Sequence, residues 1–387
     1  MTHGSPPPAP GHDAAARPSA ARAHARAVLE TLDLHCAGEP LRLVTAGLPA
    51  IPRLPILARR RWVASEADWV RRAILLEPRG HRDQYGAIVL PPHGPDADLA
   101  VLFLHTAGYS TMCGHGIIAL TTGLIEEGLH PATAPVTTIR WETPAGIVRA
   151  DAEVALGAHG GPVVAGVRFA NVPAWQDATG LVIAPDGVAL HGAAAARGGL
   201  AVSVAFGGAY YGIVDAAELG LRVVPEEAAA LTRAGAAITE VLRRDHRPVH
   251  PDDTDLAFIY GTIVVDHDPA SSPDGRARDA TFRNVTVFAD AEVDRSPCGS
   301  GTSALLADLY AAGRLGPGTE VVNAGITGEA FRARIETPGR TRGRTTVLTT
   351  VAGRAFLTGT TRHVLDARDP LADGFLLGRA GGTGSGL

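Results

Sequence analysis

The sequence repeats one unusual octapeptide. "CGHGIIAL" (113–120) and "CGSGTSAL" (298–305) both read Cys-Gly-x-Gly-x-x-Ala-Leu. The two cysteines lie 185 residues apart, about half of the 387-residue chain. Each octapeptide follows an apolar β-like run, "DLAVLFLH" or "RNVTVFAD", and opens a helical pattern that ends near a glycine. Further on, "GIVRA" (146–150) loosely answers "GEAFRA" (328–333). Such a repeat, in matching strand-to-helix contexts, constrains the chain to duplicated α/β halves, each presenting one Cys-Gly-x-Gly turn.

That turn has a defined chemistry. Its glycines let backbone approach a ligand closely. The unpaired amides at the helix start form an anion site suited to a carboxylate. The helix dipole favours a thiolate there and lowers the cysteine pKa. Two facing turns would grip one carboxylate and place a sulfur on each side of the adjacent carbon. Cys113, as thiolate, removes a Cα proton; Cys298, as thiol, returns one to the opposite face; or the reverse. The α-proton is very weakly acidic, so the amides must stabilise the carbanion in a dry, closed cavity. His115 and Asp294 sit close to the two cysteines in sequence and are candidates to bind a substrate ammonium; a capping or turn role is the plain alternative.

Composition excludes several other classes. No lysine occurs in the chain, so pyridoxal phosphate cannot be held as a lysine Schiff base. A formal charge of -5 gives no basic footprint for nucleic acid. No apolar run approaches the roughly 20 residues that span a bilayer, and the N-terminus lacks a signal-peptide core. We therefore expect a cytoplasmic protein. The three cysteines form no CxxC pair, which argues against a disulfide framework and against structural zinc. Cys36, without a glycine-framed turn, reads as structural. Nearby Asp33 and Glu39 read as supporting, solvated or capping groups.

Residues 1–28 and 378–387 read as disordered tails, 29–190 as the first half and 191–364 as the second. Residues 365–377 read as a segment packing back on the first half. The runs "AILLEP", "YGAIVLP", "LAVLFLH", "LAVSVAFGG", "FIYGTIVV" and "NVTVFAD" predict strands. The two post-cysteine segments and 225–245 predict helices, the last with an acidic start and a basic end that covers the outside of a sheet. "RGHRDQYG" (79–86) reads as a salt-linked turn, with pocket shaping as the alternative. The stretch after "VSVAFGG" is a further candidate to line the cleft.

"MCGHG" and "DRSPCGSGTSA" resemble the two signatures of the proline racemase family, which includes hydroxyproline 2-epimerases and trans-3-hydroxy-L-proline dehydratases. "DLHCAGEPLRLV", "EPRGHRDQYGAI", "FGGAYYGIVDA" and "DPLADGFLL" extend the resemblance over nearly all of the chain. It implies a pseudo-symmetric pair of diaminopimelate-epimerase-like α/β domains with the site in the cleft, no cofactor, no metal, and a homodimer. By motif, Cys113 and Cys298 are the acid/base pair. The backbone amides of Gly114, His115, Gly299 and Ser300 hold the carboxylate, and His115 and Asp294 contact the ring nitrogen. Ser300 stands where many members have Thr. Two cysteines suit a racemase or epimerase acting on proline or a hydroxyproline. The dehydratases usually carry Thr at the second position, yet "GYSTMCGHGIIAL" and "VFADAEVDRSP" look like that branch. The pair weighs more, because only two-face chemistry needs a second sulfur. A Cys113–His115 hydrolase is a different class; spacing at i+2 places the histidine on another side of the helix start and leaves Cys298 idle. A silent binding protein for proline-like ligands is a third reading.

Overall fold

The computed structural model describes residues 26–158, 160–267 and 281–377. The sequence-predicted tails therefore fall mostly outside the described residues, although residues 26–28 already belong to the first strand. The first half contains β1 (Arg26–Cys36), β2 (Glu39–Ala46), α1 (Ile56–Glu66), α2 (Asp68–Leu75), β3 (Gly86–Leu90), β4 (Leu99–His105) and β5 (Gly108–Ser110). It continues with α3 (Gly114–Glu126), β6 (Val136–Thr143), β7 (Gly146–Leu156) and β8 (Pro162–Ala170). Then follow β9 (Trp175–Ile183), α4 (Gly192–Arg197), β10 (Leu200–Phe206), β11 (Tyr210–Asp215), α5 (Ala228–Asp245), β12 (Ile259–Asp266), β13 (Phe282–Phe288) and β14 (Glu292–Asp294). The last elements are α6 (Gly299–Ala311), β15 (Glu320–Ala324), β16 (Ala330–Thr341), β17 (Arg344–Gly353) and β18 (Ala355–Asp366).

The pairing pattern repeats strand by strand. β1–β2 is antiparallel, β2–β3 parallel and β3–β4 antiparallel; β10–β11, β11–β12 and β12–β13 follow the same sequence. β4 then pairs with β5 and, in parallel, with β6, as β13 does with β14 and β15. β6–β7–β8 and β15–β16–β17 close each half antiparallel. The duplication inferred from two octapeptides therefore extends through the whole fold. The halves also exchange a strand. β9 follows β8 but pairs with β10, and β18 follows β17 but pairs with β1. β8 pairs directly with β17, so the sheet is continuous across the molecule.

α3 and α6 are each thirteen residues long. They are largely apolar and mostly buried, their buried Ser and Thr included, as a helix enclosed by sheet must be. α3 packs on β1, β7, β8 and β18; α6 packs on their counterparts β10, β16, β17 and β9. Trp141, fully buried on β6, donates its indole N–H to Thr121 of α3 at 3.1 Å. α5 lies over β12 and β13, with Gly235 flat against Val287; the expected helix over 225–245 starts at Ala228, and its acidic start, Pro225–Glu227, is a separate 3-10 turn. No helix among the described residues is long and apolar enough to cross a membrane.

One expected strand is a helix end. "AILLEP" begins inside α2. Asp68 forms a bidentate bond with Arg71 at 2.7 and 2.8 Å, and Val70, Ala73 and Ile74 are buried. The helical period spans a window that starts before the apolar run, so the run alone misleads. Residues 372–375 run against α2: Arg72 donates to the Asp373 carbonyl, and Glu77 and Phe375 exchange backbone bonds.

Candidate active site

Cys113 is the N-cap of α3 and Cys298 the N-cap of α6. Each sulfur accepts the amide of the third residue in its helix: Gly116 N at 3.3 Å and Gly301 N at 3.4 Å. Cys298 holds φ at 57°, uncommon for a residue with a Cβ. Its neighbours fix that conformation. The Cys298 amide donates to Ser296 Oγ at 3.1 Å, and Ser296 donates its own amide and hydroxyl to Asp294 Oδ1 at 2.9 and 2.6 Å.

The glycines have a packing purpose that the sequence reading did not foresee. A Cβ on Gly114 would lie 2.5 Å from Gly299 Cα, and one on Gly299 would lie 2.6 Å from Gly114 Cα. The first glycine of each turn therefore lets the two helix starts abut. A Cβ on Gly116 would lie 3.0 Å from Cys113 Sγ, and one on Gly301 would lie 2.9 Å from Cys298 Sγ. The second glycine leaves room for its own cysteine.

All seven sequence-predicted residues line one buried cavity: Cys113, Gly114, His115, Asp294, Cys298, Gly299 and Ser300. Its free space is about 10 Å³, the scale of a single water. The other walls are Tyr85, Met112, Tyr211, Tyr260, Thr286 and Phe288. Tyr85 belongs to "RGHRDQYG" and Tyr211 to the stretch after "VSVAFGG", so those segments contained signal. Tyr260, Thr286 and Phe288 come from β12 and β13, where spacing gives no cue. Tyr211 Oη lies 2.7 Å from Ser300 Oγ and 3.9 Å from Cys298 Sγ. A groove of about 860 Å³, with Arg168, Arg332, Arg354, Glu153 and Glu329 on its walls, lies elsewhere and contains neither Cys113 nor Cys298. Among the described residues no three His, Cys, Asp or Glu side chains are grouped to hold a metal ion.

Electrostatics reverse the dipole expectation for the thiols. Burial and the nearby Asp294 raise Cys113 well above the ordinary thiol value and push Cys298 up to about 12. The Gly116 and Gly301 amides oppose the shift without cancelling it. Asp294 is itself raised to about 6, chiefly by burial, against the hydrogen bonds from Ser296. Burial lowers His115 to about 3, so its ring is neutral at pH 7.

The expected separation of His115 from Cys113 is not found. His115 Nδ1 lies 3.2 Å from Cys113 Sγ. The i+2 argument assumed helical geometry, but Cys113 is extended, with φ -145°. The neutral imidazole therefore faces the thiol, and the Pro40 carbonyl opposes the burial shift of its ring. Cys36 is fully buried and lines no part of the cavity. Asp33 is held by Arg42 in a two-pronged pair at 2.8 Å.

The sequence matches the family profile described as "Proline racemase" over residues 31–376. It is 40% identical over 354 residues to a trans-L-3-hydroxyproline dehydratase of Pongo abelii, covering 90% of this chain and 95% of that protein. It is 39% identical over 351 residues to a 3-hydroxyproline 2-epimerase of Burkholderia multivorans, covering 90% and 98%. A hydroxyproline epimerase from Agrobacterium vitis, solved with bound trans-4-hydroxy-L-proline, superposes with a TM-score of 0.79 at 30% identity, covering 90% and 96%. The doubled α/β fold, the paired cysteine turns and these likenesses agree: the chain is an enzyme of the proline racemase family.

Proposed function

We propose that the enzyme inverts Cα of 3-hydroxyproline, using Cys113 and Cys298 as a thiolate–thiol pair and no organic cofactor. The observation that carries this reading is two sulfurs, each capping one of two abutting, symmetry-related helices, in a single small cavity lined by buried residues. The choice of 3-hydroxyproline is supported by relatives of both named activities, dehydratase and 2-epimerase, which share that substrate.

The carboxylate sits between the first-turn amides at Gly114, His115, Gly299 and Ser300. The ring ammonium meets Asp294, with His115 beside it. One thiolate takes the Cα proton, so the C–H bond breaks and S–H forms. The electron pair delocalises into the carboxylate, held by the amides. The opposite thiol then delivers its proton to the other face and becomes the thiolate. The raised thiol pKa values suit this task, because a more basic sulfur is better matched to a weakly acidic C–H. A substrate cation against Asp294 offsets the negative field that raises both sulfurs. A five-membered imino acid exceeds the free space, so the cavity walls part on entry and close over it.

Dehydration is the second reading, favoured by the dehydratase relatives. There one sulfur removes the α-proton, and the C3 hydroxyl leaves with a proton as water, giving an unsaturated imino acid. Incubation with trans-3-hydroxy-L-proline, trans-4-hydroxy-L-proline and L-proline in D₂O separates the two. Inversion gives an epimer carrying α-deuterium; elimination consumes only the 3-hydroxy substrate and gives an unsaturated product. Neither α-exchange nor an unsaturated product from any of the three sinks both. A cytoplasmic homodimer remains part of the proposal, and light scattering at working concentration tests the dimer.

The Asp294 environment predicts a pH dependence. Ionised Asp294 is the form that pairs with the ring ammonium. Its pKa is raised to about 6, so kcat/KM falls as pH drops through about 6. Asp294→Asn removes this acidic limb and lowers kcat/KM about a hundredfold, by loss of a buried charge pair. An unchanged limb in the variant assigns it to another group.

A further inference from the structure

The hairpin joining β1 to β2 contributes no wall to the cavity, yet it bonds to Arg295, the residue that follows Asp294. Its turn, Ala37–Gly38, has both φ values positive, 54° and 90°, as a two-residue hairpin turn requires. Ala37 pays a conformational penalty there, which the surroundings must hold. The Thr327 hydroxyl, from the second half, donates to the Ala37 carbonyl at 3.1 Å. Pro40 follows, its carbonyl near enough to the His115 ring to oppose the burial shift of that imidazole. Between Ala37 and Pro40 stands Glu39, with no exposed surface.

Glu39 Oε2 accepts the Arg295 backbone amide at 2.8 Å and Arg295 Nη1 at 3.3 Å. Asp83, in the "RGHRDQYG" turn, meets Arg295 Nη2 at 3.3 Å. Two carboxylates of the first half thus hold one residue of the second half. Arg295 directly follows Asp294, and three residues later comes Cys298 in its strained conformation. Glu39 Oε1 is buried without a hydrogen-bond partner, so Oε2 alone carries the contact to Arg295.

We propose that Glu39 is a positioning residue that acts through the Arg295 amide to hold the Asp294–Cys298 loop in its reactive geometry across the boundary between the halves. Asp83 supports it from the other side of the guanidinium. The backbone contact matters most, because it fixes the chain itself one residue from Asp294. The guanidinium contacts are longer and partly exposed, and add less. The inference rests on the proposed roles of Asp294 and Cys298.

The test compares Glu39→Gln, Glu39→Ala, Arg295→Met and the Glu39→Ala/Arg295→Met double variant in the full chain. Gln keeps an acceptor for the Arg295 amide, so Glu39→Gln stays within about fivefold of the parent kcat/KM, whereas Glu39→Ala loses about a hundredfold, as a displaced reacting group does. Most of the Glu39→Ala loss persists in the Arg295→Met background, since the amide is still present there. A readout independent of substrate is the iodoacetamide alkylation rate of Cys298, followed by peptide mass spectrometry. It rises about fivefold in Glu39→Ala, as a released loop exposes its thiol, and is near parental in Glu39→Gln. If Glu39→Ala alters activity but not Cys298 alkylation, or if Gln and Ala are equally impaired, the positioning role is wrong. If alkylation responds as stated but no prolyl substrate exchanges its α-proton, the positioning stands and the proposed reaction fails.

Discussion

Cys298→Ser abolishes Cα inversion while leaving the fold intact: kcat falls at least about a thousandfold, the scale of losing a positioned acid/base group. The structure separates the chemical loss from a structural one. Cys298 caps α6 by accepting the Gly301 amide, and a serine hydroxyl is a better cap than a thiol. Serine is also smaller, so the gap left by Gly301 accommodates it. The thermal midpoint therefore holds or rises. What changes is the group itself, because an alkoxide at this site is far less accessible than a thiolate. Inversion needs a donor on each face, so it fails in both directions. Elimination needs α-proton removal from one face only, so dehydration of trans-3-hydroxy-L-proline survives if Cys113 is the base. Cys113→Ser then abolishes both. The comparison of the two variants on one substrate decides between the inversion and dehydration readings. A Cys298→Ser enzyme that still inverts proline or hydroxyproline at a tenth of the parental rate refutes the two-sulfur mechanism.

The parts of this site written into local sequence were legible. A Cys-Gly-x-Gly turn is one helix start, and its function as an N-cap depends on residues within four positions of the sulfur. Its recurrence exposed the duplication, because both copies kept the local geometry. The parts assembled by distant strands were not. Thr286 and Phe288 lie two residues apart on one face of β13, opposite Ile263 and Gly261 of β12, and strand alternation alone does not say which face closes on a site. The exchange of β9 and β18 between halves escaped for the same reason: each follows its own half in sequence and pairs with the other. The thiol electrostatics illustrate a competition of magnitudes. The helix dipole and the capping amides favour a thiolate, but removal from water and the Asp294 charge outweigh them. Sequence shows the dipole and not the burial. His115 shows the converse error, since a rule for helix interiors was applied to a residue pair straddling the helix start.

Gly299→Ala tests whether the abutting helix starts are essential, and its expected effect is large on both stability and activity. The new Cβ would lie 2.6 Å from Gly114 Cα, 3.0 Å from the Phe169 ring and 3.2 Å from the Gly114 carbonyl carbon. The ring can turn aside, but the Gly114 backbone is the first turn of α3 and carries Cys113 next to it. Relief therefore requires the helix starts to separate. Overpacking against backbone costs about 3 kcal/mol, at the upper end for one added methyl. The activity loss exceeds what that figure implies, because separation moves the two sulfurs and the carboxylate-binding amides apart together. A displacement near 1 Å costs about a hundredfold in rate. Gly114→Ala makes the reciprocal clash, at 2.5 Å, and is expected to match it. Gly316→Ala is the control: nothing lies within 4 Å of its Cβ position, so its stability stays within about 0.5 kcal/mol of the parent. Thermal unfolding and steady-state inversion of the three variants give the answer. If Gly299→Ala unfolds within a degree of the Gly316→Ala control and keeps more than half its activity, the helix starts do not need to touch, and the glycines are retained only for access to the substrate.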